Sequence, residues 1–299
     1  MSLYFSYSGS GFLLLMNRSY YLFVIIIEHI DKRLFVLNIE HYKVSISDLF
    51  KLCKECSIFC GGEDVEVSFE RVVDNIYALA IWDTEWKSYN NCYFIIQDNG
   101  VTLVDSGKKI HSQYIRKALT ELGKTTEDVH LFLATHGHED HIDGSRIFKN
   151  ARKFIHSNDN ALIDSLELTQ FSNDLDDFEV IKEFDYDLVG YHTPGSVIFY
   201  HRPTKAVFTG DFLCFFGDPL SKDGLVSIGD DLRNEWIKYL GDGGVSTEHL
   251  EYFLSGLRKI IRFDSSVMCT GHGGVLVGNI KEFISELIEV GVQYSKRGG

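Results

Sequence analysis

Apolar positions along the chain follow one rhythm before residue 65 and another after it. Ahead of that point, 20–28 and 34–40 are nearly unbroken apolar runs rich in β-branched and aromatic residues, separated around "IDKR" at 30–33. They read as two strands of a hairpin. The stretch 45–59 predicts a helix: Ser45 or Ser47 can cap it, Leu49, Leu52, Cys53 and Cys56 fall near one face, and "CGGED" breaks it. From residue 65 strand-like runs follow at 72–81, 92–97 and 101–104. A helix is expected over 112–122, with Ile115, Ala118, Leu119 and Leu122 at helical spacing. Further strands are expected at 129–135, 152–156, 197–201, 206–209 and 266–270, and helices near 159–168, 247–261 and 279–290. Strands mixed with interspersed helices predict a layered α/β or α+β protein, divided into an extension of hairpin plus helix (1–64) and a main domain (65–299). No internal repeat recurs at a solenoid period.

Composition narrows the functional classes. The chain has 299 residues, 44% of them hydrophobic, which suffices for one large core or a core with a small appendage. Its formal net charge of -14 repels phosphate backbones, so a small-molecule substrate is expected and nucleic acid is not. No basic residue precedes the apolar "FLLLM" at 12–16, so no secretion signal is expected, and the run 20–27 is too short to span a bilayer. Six cysteines are few for a disulfide scaffold of this length, which points to the cytoplasm.

The densest chemistry lies in "LATHGHEDHIDG", 133–144, where an apolar strand runs into three histidines and two acids within six positions. Imidazole and carboxylate are the ligands that suit zinc and similar divalent ions. His136 and His138 are two apart, so on extended backbone both face one ion. A turn into helix after them would carry Asp140 and His141 to a second, adjacent position. Each position is still short of ligands, and three candidates stand where later strands start or stop: His192 in "YHTPGSVIFY", Asp211 after "AVFTG", and His272 in "VMCTGHGG".

With these motifs the chain resembles the metallo-β-lactamase superfamily from about residue 69 to its C-terminal helix. "VDSG" at 104–107 looks like that family's first motif, "THGHEDH" at 135–141 its signature, and "TGD" at 209–211 and "GHGG" at 271–274 its later metal motifs. The resemblance implies an α+β fold, an αββα sandwich with the metals at one edge. It implies that His136, His138 and His192 bind one metal, that Asp140, His141 and His272 bind another, and that Asp211 bridges them. Asp105 would stand behind the ligands, fixing their orientation or the backbone turn, and Glu139 would point away. One departure concerns the third histidine, where many members read T-P-G-H-T-x-G-S and this chain has only "GYHTPGSV". Aligning "TPG" with the family's first TPG puts Ser196 at the ligand position. Aligning "HTPGSV" with H-T-x-G-S keeps His192 and the strand after it, and this register is preferred.

The resemblance implies a dinuclear metal-dependent hydrolase with two divalent ions, zinc first, with iron or manganese as alternatives. A bridging hydroxide would cleave an ester, thioester, lactone or amide, with Asp140 orienting it and relaying a proton. Family members also include iron persulfide dioxygenases and RNA-processing nucleases. An iron-dependent sulfur or persulfide oxidoreductase is therefore the alternative from another class, and a nuclease is disfavoured by the charge. Cys53, Cys56 and Cys60 are read as small hydrophobes. His29, His41, His111, His130, His156, His201 and His249 are read as ordinary polar positions. The aromatic-rich 212–220 and 235–240 fit a substrate wall and a core helix equally well. The extension is open to a homodimer contact, a sheet-edge cover or a pocket wall.

Overall fold

A computed structural model describes the backbone of residues 2–8, 11–18, 21–28 and 34–37, and residues 65–175, 181–216 and 220–297. The chain divides into two compact units, Met1–Asp64 and Val65–Gly299. In the first, β1 (Ser2–Ser8), β2 (Gly11–Arg18), β3 (Tyr21–Glu28) and β4 (Leu34–Leu37) form an antiparallel meander. The hairpin expected around "IDKR" is the β3–β4 pair, with Ile27 opposite Leu34. The helix expected over 45–59, with Cys53, Cys56 and Cys60, lies outside the described residues.

The second unit is built on two sheets. The seven-stranded sheet contains β5 (Val67–Val73), β6 (Ile76–Asp83), β7 (Ser88–Gln97), β8 (Gly100–Val104), β9 (Val129–Leu133), β10 (Arg152–Phe154) and β11 (Phe171–Ser172), neighbours in chain order. β5 to β8 pair antiparallel and β8 to β11 parallel. The six-stranded sheet contains β12 (Phe184–Leu188), β13 (Val197–His201), β14 (Ala206–Gly210), β15 (Val226–Ser227), β16 (Val267–Thr270) and β17 (Val275–Val277), in the order β12-β13-β14-β16-β17-β15. Among the described residues the α-helices are α1 (Ser112–Glu121), α2 (Glu139–Ile142), α3 (Ser165–Leu168), α4 (Asp231–Gly241), α5 (Thr247–Ile260) and α6 (Ile280–Arg297).

Why the strands read as continuous apolar runs follows from this layering. Along β9, Leu131 and Leu133 join the core between the sheets, while Phe132 and Ala134 join a second core that includes Ile115, Ala118 and Leu119 of α1. Along β13, Val197 and Phe199 enter the shared core, while Ile198 and Tyr200 join residues of α4, α5 and α6. The central strands are covered on both faces, so most of their side chains on either side are apolar. The result is the four-layer αββα sandwich. Among the described residues no helix is long and apolar enough to cross a membrane.

Several elements differ from the expectation. The run 72–81 is two strands, turned at Asp74–Asn75 with Asn75 in the left-handed region at φ 64°, a conformation asparagine tolerates. The helix near 159–168 is a 3-10 stretch, Ser157–Leu162, followed by the single turn of α3. β12, "FDYDL", and α4 were not anticipated. β12 lies at the edge of its sheet and carries two aspartates, so it lacks the apolar continuity that marks the central strands.

Lys153 on β10 is buried, its ammonium donating to the Gln170 side-chain carbonyl at 3.0 Å. Burial, with Lys149 and Arg146 adding repulsion against the pull of Glu167, brings its pKa from 10.5 down to about 8. The unfolded lysine therefore holds its proton where the folded one has released it, so this group costs stability below pH 8 and the cost fades as pH rises to 10.5. Lys153→Met is expected to raise the urea midpoint at pH 7, and that advantage should shrink through the same window. An equal advantage at both ends of the window, or a lower midpoint at pH 7, would refute the assignment.

Candidate metal centre

Strand direction decides where the chemistry gathers. β8 and β9 run parallel, as do β14 and β16, so the residues that follow each pair emerge together. β8 delivers Asp105, β9 leads into Thr135–His136, β14 into Asp211, and β16 into Gly271–His272. β13 runs antiparallel to β14, which brings the segment ahead of it, with His192, to the same end. Two main-chain bonds cross between the sheets at that edge: Val197 N–H donates to Thr135 C=O and Asn91 N–H to Gly271 C=O, both at 2.9 Å. The Tyr93 hydroxyl donates to Thr270 C=O at 2.6 Å.

His136, His138, Asp140, His141, His192, Asp211 and His272 all meet there. Among the described residues, three sets have ligand atoms within 4.8 Å of one another: His136, His138 and His192; His136, His141 and Asp211; Asp140, His141 and His272. His138 Nδ1 lies 3.1 Å from His136 Nε2 and 3.0 Å from His192 Nε2. Asp211 Oδ2 lies 3.3 Å from His192 Nε2 and 3.2 Å from His272 Nε2, and its Oδ1 is 3.2 Å from His141 Nε2. Asp140 Oδ2 is 3.7 Å from His141 Nε2 and 3.6 Å from His272 Nε2. Two ligands about 2.0–2.1 Å from one tetrahedral ion stand about 3.3 Å apart, so these spacings fit a shared cation. Asp211 Oδ1 and His141 Nε2 are moreover buried with no hydrogen-bond partner, and a cation between them would satisfy both.

The imidazoles are aimed by groups behind them. Asp105 is buried at φ 56°, a left-handed conformation that aspartate adopts more readily than most residues. Its Oδ1 accepts from Thr135 N–H at 2.8 Å, and its Oδ2 accepts from the Thr135 hydroxyl at 2.8 Å and from His141 Nδ1 at 2.9 Å. The Tyr89 carbonyl accepts from His272 Nδ1 at 2.9 Å. Both partners only accept, so a proton sits on each Nδ1, and the Nε2 atoms of His141 and His272 face the cluster. Glu139 is exposed.

Electrostatics divide the cluster. Burial holds His136 well below the usual imidazole range and His192 below it, against the pull of Asp211. Burial also pulls His141 and His272 down, but the carboxylates, Asp211 foremost, outweigh it and raise both. For Asp211 itself burial pushes upward, and His272 and His141 more than offset it, holding the carboxyl well below its usual range.

Of the two registers around "HTPGSV", the structure turns His192 toward the other histidines. The Ser196 hydroxyl instead accepts from Thr193 N–H at 2.9 Å and closes its own turn. The aromatic-rich segment after Asp211 is mostly core: Phe212, Leu213, Cys214 and Phe215 are buried, and Trp236 Nε1 donates to Cys214 C=O at 2.7 Å. Phe216 is the exception, 67% exposed with its ring 4.9 Å from that of His272. Sequence reasoning missed the Tyr89 carbonyl, Thr135 and Asp159. None falls in a ligand-like spacing, and a backbone carbonyl leaves no mark in a sequence.

Residues 87–167 match the family model of the metallo-beta-lactamase superfamily. A probable metallo-hydrolase of Methanocaldococcus jannaschii is 26% identical over 176 residues, 58% of this chain and 71% of the relative. Among solved structures, a variant of the flavo di-iron protein of Thermotoga maritima superposes with a TM-score of 0.61 at 15% identity, covering 77% of this chain and 62% of that one. A fragment of a putative diflavin flavoprotein of Nostoc gives 0.61 at 10% identity, over 79% of this chain and 99% of that one. Rubredoxin oxygen:oxidoreductase of Desulfovibrio gigas gives 0.57 at 13%, over 77% and 62%. The chain thus spans about six tenths of the length of the Thermotoga and Desulfovibrio proteins.

The two registers make opposite predictions for metal binding. His192→Ala leaves two histidines in its set, so one of two bound ions should be lost or weakened by about tenfold or more. Ser196→Ala should leave metal content near that of the parent. Zinc titration of both variants decides it, and full two-metal binding by His192→Ala would overturn the reading.

Proposed function

We propose that the chain is a dinuclear metal-dependent hydrolase of a small-molecule ester, thioester, lactone or amide, a reading supported by the match of residues 87–167 to the metallo-beta-lactamase superfamily model and by the likeness to a probable metallo-hydrolase. The observation that carries this reading is two ligand sets meeting at one carboxylate. His136 Nε2, His138 Nδ1 and His192 Nε2 would hold one ion, and Asp140, His141 Nε2 and His272 Nε2 the other. Asp211 stands between them, within 3.3 Å of His192 and 3.2 Å of both His141 and His272. The donors are mostly imidazole, which suits zinc first, with iron or manganese as alternatives. A net charge of -14 favours a small molecule over nucleic acid as substrate.

Two bound cations supply water activation near neutral pH and polarisation of a substrate carbonyl. The residues of the chain do the rest. Asp105 and the Tyr89 carbonyl keep His141 Nε2 and His272 Nε2 aimed inward. Asp140 is less covered than Asp211, its side chain 12% exposed against 6%, so it is the carboxylate better placed to take a proton from water and return it to a leaving group. The exposed ring of Phe216 beside His272 offers an apolar flank to a substrate.

The likeness in fold to flavo di-iron structures favours one second reading, an iron-dependent oxidoreductase working at the three-histidine set. The hydrolase is tested with a panel of ester, lactone, thioester, β-lactam and phosphodiester substrates. Iron content and oxygen uptake without hydrolysis would support the second reading instead.

Protein purified without chelator is expected to carry about two transition-metal ions per chain, read by elemental analysis. A value near zero after remetallation would sink the dinuclear reading.

Asp140→Asn keeps the shape of the side chain and removes its basicity. Circular dichroism should be unchanged, while turnover of the best substrate should fall by about 10²–10⁴-fold. Turnover close to that of the parent would remove Asp140 from proton transfer.

A further inference from the structure

The 3-10 stretch Ser157–Leu162 carries a carboxylate that serves the centre from outside it. Asp159 is fully buried, 0% exposed. Its Oδ2 accepts from Gly137 N–H at 2.9 Å and from the Thr193 hydroxyl at 2.7 Å, and its Oδ1 accepts from Gly195 N–H at 2.7 Å. Gly137 sits between His136 and His138, and Thr193 follows His192. One side chain therefore grips both segments that bring the three-histidine set together.

We infer that Asp159 is the positioning residue of the three-histidine set, tying the His136–His138 segment to the His192 loop; this rests on the metal-centre reading above. A buried carboxylate is costly unless donors surround it. Its three donors come from the two segments, so the segments must converge for the charge to be tolerated. The close approach is built in. A Cβ at Gly137 would lie 3.0 Å from Asp159 Cβ, and one at Gly195 would lie 2.5 Å from Asp159 Cγ. A side chain at position 195 would collide with the carboxylate, and one at 137 would crowd it. Asp105 does the corresponding work on the other set, holding His141 directly. The two carboxylates divide the centre, with Asp159 behind His136, His138 and His192 and Asp105 behind His141.

Asp159→Asn puts an NH₂ donor against an N–H or hydroxyl donor whichever way the amide turns. Thr193→Val removes one donor with little change of shape and provides a second, milder variant. The first measurement uses the metal-free protein. Amide hydrogen exchange at Gly137 and Gly195 should accelerate in both variants, more in Asp159→Asn. Gly271, whose N–H donates to Gly210 C=O at 2.9 Å, should exchange as in the parent. The second measurement is stepwise zinc titration followed by the ring signals of His192 and His272. Binding sensed at His192 should weaken by about 10–100-fold and binding sensed at His272 by less than about threefold. Exchange at Gly137 and Gly195 unchanged in both variants would overturn the inference, as would equal loosening at Gly271 or equal weakening of both ions. Should the parent bind no metal, the functional reading fails by itself, and the exchange measurement still decides whether Asp159 ties the two segments. Should Asp159→Asn fail to fold, Thr193→Val carries both measurements.

Discussion

The chemistry of this protein depends on two sheets being fixed in register at one edge. Val197 N–H to Thr135 C=O and Asn91 N–H to Gly271 C=O are main-chain bonds from one sheet to the other. Together with the Tyr93 hydroxyl bond to Thr270 C=O, they fix the offset between the ends of β9 and β16. His136 and His272 reach one site only because that offset is set to within a hydrogen bond. Asn91 strengthens the lock, its side-chain amide donating to Thr270 C=O and Gly273 C=O at 3.0 and 2.7 Å. Such buried donors are costly when unpaired, so the lock specifies one arrangement as well as stabilising it.

On that frame the centre is a problem of burying charge. Asp105, Asp159 and Asp211 are largely withdrawn from water, and each meets the cost differently. Asp105 takes an amide, a hydroxyl and an imidazole; Asp159 takes two amides and a hydroxyl; Asp211 takes imidazoles alone and leaves Oδ1 without a hydrogen bond. The first two are closed accounts of hydrogen bonding and act as supports. The third is open toward the other ligand atoms, which is where a cation belongs.

The similarity to flavo di-iron and diflavin flavoprotein structures at 10–15% identity is a similarity of layering. Two double-faced sheets covered by helices can be built from many sequences, because burial constrains polarity and size more than identity. Function rests on which side chains stand at the strand ends. In this chain those are five histidines and two aspartates at the candidate metal centre, with Asp105 and Asp159 behind them.

The sequence by itself determined what local spacing can encode. Central strands such as β9 and β13 were legible because both faces are largely buried, leaving runs that are mostly apolar. The group His136, His138, Asp140 and His141 was legible because so many imidazoles and carboxylates fall within six consecutive positions. Other features answer only to neighbours distant in the chain. β12 is an acidic edge strand whose pairing to β13 makes it a strand, and Asn75 turns 72–81 into a hairpin that the apolar pattern passes over. The choice of His192 over Ser196 lies in a loop whose direction is set by Thr193, Ser196 and Asp159. Asp159 stands 22 residues from Gly137 and 36 from Gly195, with no periodicity joining them. Tertiary structure alone brings that carboxylate between the two loops, because a buried charge is tolerated only where its donors converge.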